Sequence, residues 1–124
     1  MACDDIVGSG WIAGLLVVDS TDEVIIDPKM DTTKTGATFF GKFQATGEQQ
    51  FTITCQELGG GRSRISFTRT HPGGLITTHY TGIVIRFGSR AQIGVIRGRF
   101  RRETFVENAP KLVVNGDWET ERPT

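Results

Sequence analysis

Residues 50–57, QFTITCQE, and residues 62–70, RSRISFTRT, are the stretches that decide the fold of this chain. In the first, apolar residues occupy every second position from 51 to 55. In the second, Ile65 and Phe67 alternate with arginine, serine and threonine. A two-residue period is typical of a β-strand with one face in a core and the other in solvent. Because the glycine run at 59–61 separates the two stretches, we expect them to form a hairpin.

The same pattern continues in both directions along the chain. No stretch of a dozen residues keeps apolar side chains at helical spacing, and glycine, threonine and valine are common where helix formers would be expected. The predicted strands are residues 11–18, 22–26, 37–45, 50–57, 62–70, 75–87, 91–101 and 111–118. Eight strands joined by glycine-rich turns predict an all-β fold, an antiparallel up-and-down meander in which sequence neighbours pair.

We expect the meander to close into a small barrel of about eight strands. Pairing of the first strand with the last removes two exposed strand edges. Glycines within the strands permit the sharp bends that a small barrel needs; they are Gly14, Gly41, Gly82, Gly94 and Gly98. A two-sheet β-sandwich is the alternative. With 124 residues, the chain has the size of a single domain, residues 1–124.

This architecture resembles the calycin group, which comprises lipocalins, fatty-acid-binding proteins and avidin-like barrels. Lipocalins carry a Gly-x-Trp near the start of the first strand; here Gly10 directly precedes Trp11, and a Gly-x-Trp occurs at Gly116, Asp117 and Trp118. The resemblance implies a pocket for a small apolar or amphipathic ligand. If the first and last strands pair, we expect Trp11 and Trp118 to lie near one another and plug one end of the barrel, as the lipocalin tryptophan does.

Composition places the chain among globular proteins, with 37% hydrophobic and 23% charged residues. The longest apolar run, residues 11–18, is far shorter than the roughly 20 residues that cross a membrane. Two acids near the N-terminus, where a secretory signal carries positive charge, predict a cytoplasmic protein. Cys3 and Cys55 are expected to be free thiols, since one candidate bridge is no disulfide framework.

The charges are segregated along the sequence although the net charge is zero. Residues 1–57 hold nine acids, whereas residues 58–102 hold nine arginines and no acid. On the strand 91–101, Arg97, Arg99 and Arg101 are expected to face one side as a cationic stripe. Three explanations stay open: the arginines pair with carboxylates within the molecule or across a homodimer, they line a pocket for an anionic small molecule, or they bind nucleic acid. Nucleic acid is not expected, because the net charge is neutral and few aromatics accompany the basic strands.

The sequence contains no complete catalytic, metal or nucleotide motif, so catalytic residues stay unassigned and no metal or cofactor is expected. His79 and Tyr80 are adjacent in a predicted strand, so only one of them can face the interior. The phenylalanines form the core or wall a pocket. The candidate ligand-binding residues are Trp11, Phe39, Phe67, His79, Tyr80, Arg97 and Trp118.

Three functions follow as hypotheses. The leading one is a cytoplasmic barrel that binds a small, partly apolar ligand. An arginine, or the His79 and Tyr80 position, is the polar anchor for the ligand, and an arginine anchor predicts an anionic ligand. The second is a barrel-type cyclase or isomerase of biosynthesis that uses the lumen as a reaction chamber. The third is a homo-oligomeric module whose acidic and basic faces join subunits.

Overall fold

The computed structural model describes residues 3–11, 14–87 and 92–121. Within them the fold is all-β apart from one short 3-10 helix, η1, Asp4–Ile6. The strands are β1 Gly8–Trp11, β2 Leu15–Val18, β3 Val24–Ile26, β4 Met30–Thr35, β5 Thr38–Phe43, β6 Phe51–Gly59, β7 Arg62–Thr70, β8 Ile76–Phe87, β9 Gln92–Thr104 and β10 Leu112–Glu121. No helix among these residues has the length and apolar character that a membrane crossing requires.

All strands belong to one curled antiparallel sheet with the order β1-β4-β5-β6-β7-β8-β9-β10-β2-β3. From β4 to β10 it is the expected meander, each strand pairing with its sequence neighbour. The hydrogen-bonded order is open, ending in β1 and β3. Strands β1 and β2 lie near opposite ends of that order, although only residues 12–14 separate them in the sequence. The chain itself therefore connects the two sides of the half-barrel.

Pairing between the start and the end of the chain is confirmed, because β2 pairs with β10 through Leu16 and Trp118. The prediction of one first strand over residues 11–18 is wrong, since Trp11 pairs with Met30 of β4 whereas β2 pairs with β10. Its residues 12 and 13 lie outside the described part of the chain.

Strand β4 was not predicted, and it raises the count to ten among the described residues. In its sequence, MDTTKT, the inner positions are Met30 and Thr32, both buried. The Thr32 hydroxyl accepts a hydrogen bond from the Gly8 amide at 2.9 Å and donates to the Ile6 carbonyl. A threonine whose hydroxyl is bonded to backbone can fill a core position, so apolar alternation alone does not detect this strand.

The core lies on the concave face of the sheet and holds the inward residues of almost every strand. Along β9, Ile96 and Phe100 are buried whereas Arg97, Arg99 and Arg101 are exposed, which confirms the predicted cationic stripe. Gly98 and Gly82 are directly opposite each other in the β8–β9 ladder. A Cβ on Gly98 would lie 1.8 Å from the Thr81 carbonyl oxygen, so this close approach of two strands requires glycine.

The prediction that the cysteines are free thiols is wrong. Cys3 and Cys55 form a disulfide across a sequence separation of 52 residues. The inward-facing row of β6 places Cys55 beside the core, and the segment before β1 folds back over it. Sequence spacing could not show this, because the bridge depends on where the segment before β1 lies in space.

Candidate functional site

The seven candidate residues divide between the two faces of the sheet. Trp11, Phe39, Phe67, Tyr80 and Trp118 are buried in the core. His79 and Arg97 project from the outer face, with 42% and 60% of their side chains exposed. Tyr80 is therefore the member of the His79 and Tyr80 pair that faces inward. An interior anchor for a ligand must come from Tyr80 or from residues that the sequence did not single out.

Three of the buried candidates form one aromatic cluster. The Phe67 and Tyr80 rings are stacked, with centroids 4.6 Å apart. The Trp118 indole meets Tyr80 edge-on at 5.2 Å, and its Nε1 donates to the Thr81 carbonyl oxygen at 3.1 Å. Trp11, which is also buried in the core, donates from its own Nε1 to the Ile6 carbonyl oxygen at 3.2 Å. The two tryptophans thus have different hydrogen-bond partners.

A narrow cavity of about 10 Å³ adjoins this aromatic cluster. Its lining comprises Gly14, Asp27, Pro28, Met30, Phe43, Phe67, Tyr80, Trp118 and Thr120. That volume is about what one water molecule requires. This cavity therefore holds little more than one water molecule, and the polar groups of its wall come mainly from Asp27, Tyr80 and Thr120.

Asp27 is the centre of a buried ionic network. It belongs to the segment between β3 and β4, and it is 3% exposed. Its Oδ1 accepts hydrogen bonds from Arg69 Nη1 at 3.0 Å and from Arg102 Nη2 at 3.2 Å. Its Oδ2 accepts the Tyr80 hydroxyl. Burial and the Asp27 carboxylate raise the pKa of Tyr80, so this hydroxyl keeps its proton and acts as a donor.

Arg69 joins Asp27 to a second buried carboxylate. Its Nε and Nη2 atoms each donate to Glu48 at 2.9 Å, which makes the pair bidentate, and its guanidinium lies 4.3 Å from the Phe43 ring centroid. Burial acts to lower the pKa of Arg69, but the Glu48 and Asp27 carboxylates outweigh it and raise that pKa. Two guanidiniums and two carboxylates balance in charge, as burial requires.

His71 and Thr78 complete the network at its outer limit. Arg102 Nε donates to the Thr78 hydroxyl oxygen at 3.0 Å, and His71 Nε2 lies 2.9 Å from the same oxygen. Burial, with the nearby Arg69 and Arg102 charges, lowers the pKa of His71 to about 4. At neutral pH His71 is therefore uncharged, and the tautomer of its ring decides whether Nε2 accepts from the Thr78 hydroxyl or donates to it.

On the outer face the arginines pair with carboxylates of the same molecule. Arg97 Nε lies 3.2 Å from Glu119, and Arg99 Nη1 lies 2.9 Å from Asp117 while its Nη2 contacts Asp19. Together with the Arg69 network, these contacts confirm intramolecular pairing as the fate of much of the arginine block. Acids from the first half supply only some of the partners, because Asp117 and Glu119 lie on β10. The side chains of Arg86 and Arg90 fall outside the described residues.

His79 lies in a mixed polar surface that is distinct from the interior network. Its Nδ1 is 3.0 Å from the Thr68 hydroxyl, and its Nε2 is 3.7 Å from Glu103. Glu103 also contacts Lys111 and Arg101, whose hydrogen bonds lower the pKa of Glu103. Among the described residues, no three His, Cys, Asp or Glu side chains form a group that could hold a metal ion.

Asp27 and Glu48 were not predicted from the sequence. Asp27 follows a three-residue strand and precedes Pro28, and Glu48 lies between β5 and β6. No alternating pattern includes either position, and Glu48 is 21 residues from Arg69 in the sequence. Only the fact that the arginine block lacks acids of its own indicated that its partners come from elsewhere.

Comparisons with known protein families, with curated proteins and with solved structures found no match to this chain.

Proposed function

We propose that the protein binds a small, partly apolar ligand in its aromatic interior, at the cavity between Asp27 and Trp118. One observation carries the proposal: Phe67, Tyr80 and Trp118 converge with the Asp27 carboxylate on a single cavity. Binding sites for small molecules typically combine mostly apolar walls with a few placed polar groups. The proposal agrees with the ligand pocket that a resemblance to the calycin group implies. Of that resemblance, the curled antiparallel sheet supports the architecture alone.

The cavity must widen to admit such a ligand. Its present volume of about 10 Å³ suits one water. Movement of the segment that links β3 and β4, from Asp27 to Lys29, would widen it. Because the buried ionic network holds Asp27, such a movement requires a ligand that replaces the hydrogen bonds of its carboxylate. A ligand that donates a hydrogen bond would replace Tyr80 on Asp27 Oδ2, whereas one with a carbonyl group would accept from the Tyr80 hydroxyl.

A fragment screen followed by ¹H–¹⁵N NMR titration tests the proposal. We expect hits to shift the indole signal of Trp118 and the amides around Tyr80. Tyr80→Phe removes one hydroxyl and should weaken binding of hits with a carbonyl group, which accept from Tyr80, about tenfold, the value of a hydrogen bond left unmade. His79→Gln, on the outer face of the same strand, is the matched control and should leave binding unchanged. A screen without hits, or binding that depends on His79 and not on Tyr80, would contradict the proposal.

A cyclase or isomerase would use the same cavity, with Tyr80 as a hydrogen-bond donor to substrate. No separate observation favours it over binding. Turnover of a bound hit, followed by mass spectrometry, would distinguish the two.

A second candidate function, self-association, rests on the outer face of β2 and β3. Here Leu15, Val24 and Ile26 are 45%, 53% and 69% exposed. Together with Val17 we call them the β2–β3 aliphatic surface. Beside it the acidic row of Asp117 and Glu119 lies next to the arginine stripe of β9. Adjacent rows of opposite charge are self-complementary under a two-fold axis, so we take a second copy of this chain as the partner.

Light scattering after size exclusion, at low and high salt, tests self-association. We expect a dimer that Ile26→Lys converts to monomer, while Leu58→Lys, a change at another exposed apolar residue, has no effect. A dimer that dissociates with salt but tolerates Ile26→Lys would place the interface on the charged rows alone. A monomer under all conditions would exclude this function.

The cytoplasmic location stays a prediction, and the Cys3–Cys55 disulfide weighs against it, because structural disulfides persist mainly in oxidising compartments.

A further inference from the structure

The segment of residues 3–7, which we call the cap, covers a seam in the sheet. Strands β5 and β6 pair only from Phe39–Gly41 to Phe51–Ile53. Beyond Ile53 the paired partner of β6 in the described structure is β7. The cap lies over this point: the disulfide joins it to Cys55, and the Cys3 amide donates to Glu57 Oε1 at 2.8 Å.

The cap seals the apolar interior with one side chain. Ile6 is fully buried, in the same core cluster as Trp11, Phe39 and Ile53. Its carbonyl accepts hydrogen bonds from Trp11 Nε1 and Thr32 Oγ1. Removal of the cap would therefore expose apolar core and break both of these hydrogen bonds.

Apart from the disulfide, the cap is held by noncovalent contacts: the burial of Ile6, the hydrogen bonds of its carbonyl and of the Cys3 amide, and an ion pair. A single 3-10 turn has no stability of its own. The Asp4–Lys34 ion pair is exposed, with side-chain exposures of 47% and 35%, and such pairs stabilise weakly. The cap contributes no strand to the β4–β10 ladder. Its release is consequently a local event that the rest of the sheet can survive.

We propose that the Cys3–Cys55 disulfide is a redox latch: its reduction releases the cap and opens the seam between β5 and β6 to the apolar interior. The reductant is a dithiol. One of its thiolates attacks a sulfur of the disulfide and forms a mixed disulfide, and its second thiol then displaces the protein sulfur. Two electrons and two protons pass to the protein, which gains the Cys3 and Cys55 thiols, and the dithiol becomes a disulfide. The latch acts whether or not the interior binds a ligand.

Hydrogen exchange measured by mass spectrometry, with and without dithiothreitol, tests the latch under native conditions. Alkylation and mass determination report the redox state in each sample. After reduction we expect exchange at least tenfold faster for amides of the cap, for Gly8 and for β6 around Cys55. Amides of β8 and β10 should keep their protection. Binding of a hydrophobic dye should rise in parallel and return to its first value after reoxidation.

Two variants make the test specific. The Cys3→Ser, Cys55→Ser double variant should exchange like the reduced protein and ignore dithiothreitol. Asp4→Asn removes the ion pair to Lys34 but keeps the disulfide, so it should stay closed until reduced. Three results would each overturn the proposal: a disulfide that resists dithiothreitol in the folded protein, thiols that form without faster exchange in the cap, or loss of protection throughout the sheet, which would make the bridge a global staple.

Discussion

Replacement of Asp27 by asparagine tests whether the interior network is held together by charge. The change keeps the shape of the side chain and one oxygen, but it removes the charge that two guanidiniums share. Arg69 and Arg102 have side chains only 7% and 15% exposed. In the variant, Arg69 retains its bonds to Glu48, whereas Arg102 loses its carboxylate partner. The NH₂ group of the new asparagine and the guanidinium N–H groups are all donors, so no hydrogen bond forms between them.

The expected loss of stability follows from that burial. Breaking a buried ion pair by removing one partner costs about 3 to 5 kcal/mol, because the remaining charge cannot regain its hydration. Domains of this size unfold with roughly 5 to 15 kcal/mol in total, so the loss is about a fifth of the stability or more. With an m value of about 2 kcal/mol per M, a loss of about 4 kcal/mol lowers the urea midpoint by about 2 M.

Urea unfolding followed by tryptophan fluorescence and by far-ultraviolet circular dichroism measures the change. Asp117→Asn is the matched control. Asp117 accepts from Arg99 at 2.9 Å, close to the 3.0 Å between Arg69 and Asp27, but its side chain is 72% exposed. We expect no measurable shift for this control, since exposed pairs stabilise weakly. Equal midpoints for the two variants would refute the reasoning, because burial would then make no difference to the cost.

Two further predictions concern the ladder and pH. Gly98→Ala should destabilise the fold by about 3 kcal/mol or more in urea unfolding, since its Cβ would overlap the Thr81 carbonyl. Gly14→Ala is the control and should be tolerated, because the nearest atom to its Cβ is 3.6 Å away. A stable Gly98→Ala protein would disprove the close approach of β8 and β9. NMR titration should find His71 neutral down to about pH 4. In the unfolded chain the same imidazole protonates near pH 6.5. The buried neutral ring should therefore contribute stability above pH 6.5, and this contribution should be lost as the pH falls towards 4. His71→Gln should remove this part of the acid sensitivity, and a His71 midpoint near 6.5 would show that its ring is hydrated.

The strands that the sequence predicted best are those with one buried and one solvated face. Strand β7 is such a case: Ser63, Ile65, Phe67 and Arg69 are buried and alternate with more exposed residues. Alternation detects it because the apolar residues of the row dominate the pattern. The same strand shows where the method fails, since Arg69 occupies an inward position that its residue type would assign to the surface.

The candidate site was only partly predictable, for a related reason. Phe67, Tyr80 and Trp118 were selected as aromatic residues in strands, and strand geometry brings them to one cavity. Asp27 and Glu48 lie in connections between strands, where no period constrains the side chain. Their burial depends on Arg69 and Arg102, which are up to 75 residues away in the sequence. Pairing at such separations becomes visible only when the sheet order is known.

The interior is closed at two places, by the ionic network around Asp27 and by the cap. The two differ in chemistry, and this difference decides how the interior can open. Cys55 pairs with Ile65, four residues before Arg69 on β7, which places the cap and the ionic network roughly 13 Å apart along the strand. Opening at the network exposes buried charge and leaves guanidiniums unpaired, so it is costly unless a ligand supplies replacement hydrogen bonds. Opening at the cap exposes Ile6 and part of the apolar core and depends on one covalent bond. A ligand that enters from the Asp27 side must therefore carry polar groups that replace the broken hydrogen bonds. Entry at the seam depends instead on whether thiols in the surroundings reduce the disulfide.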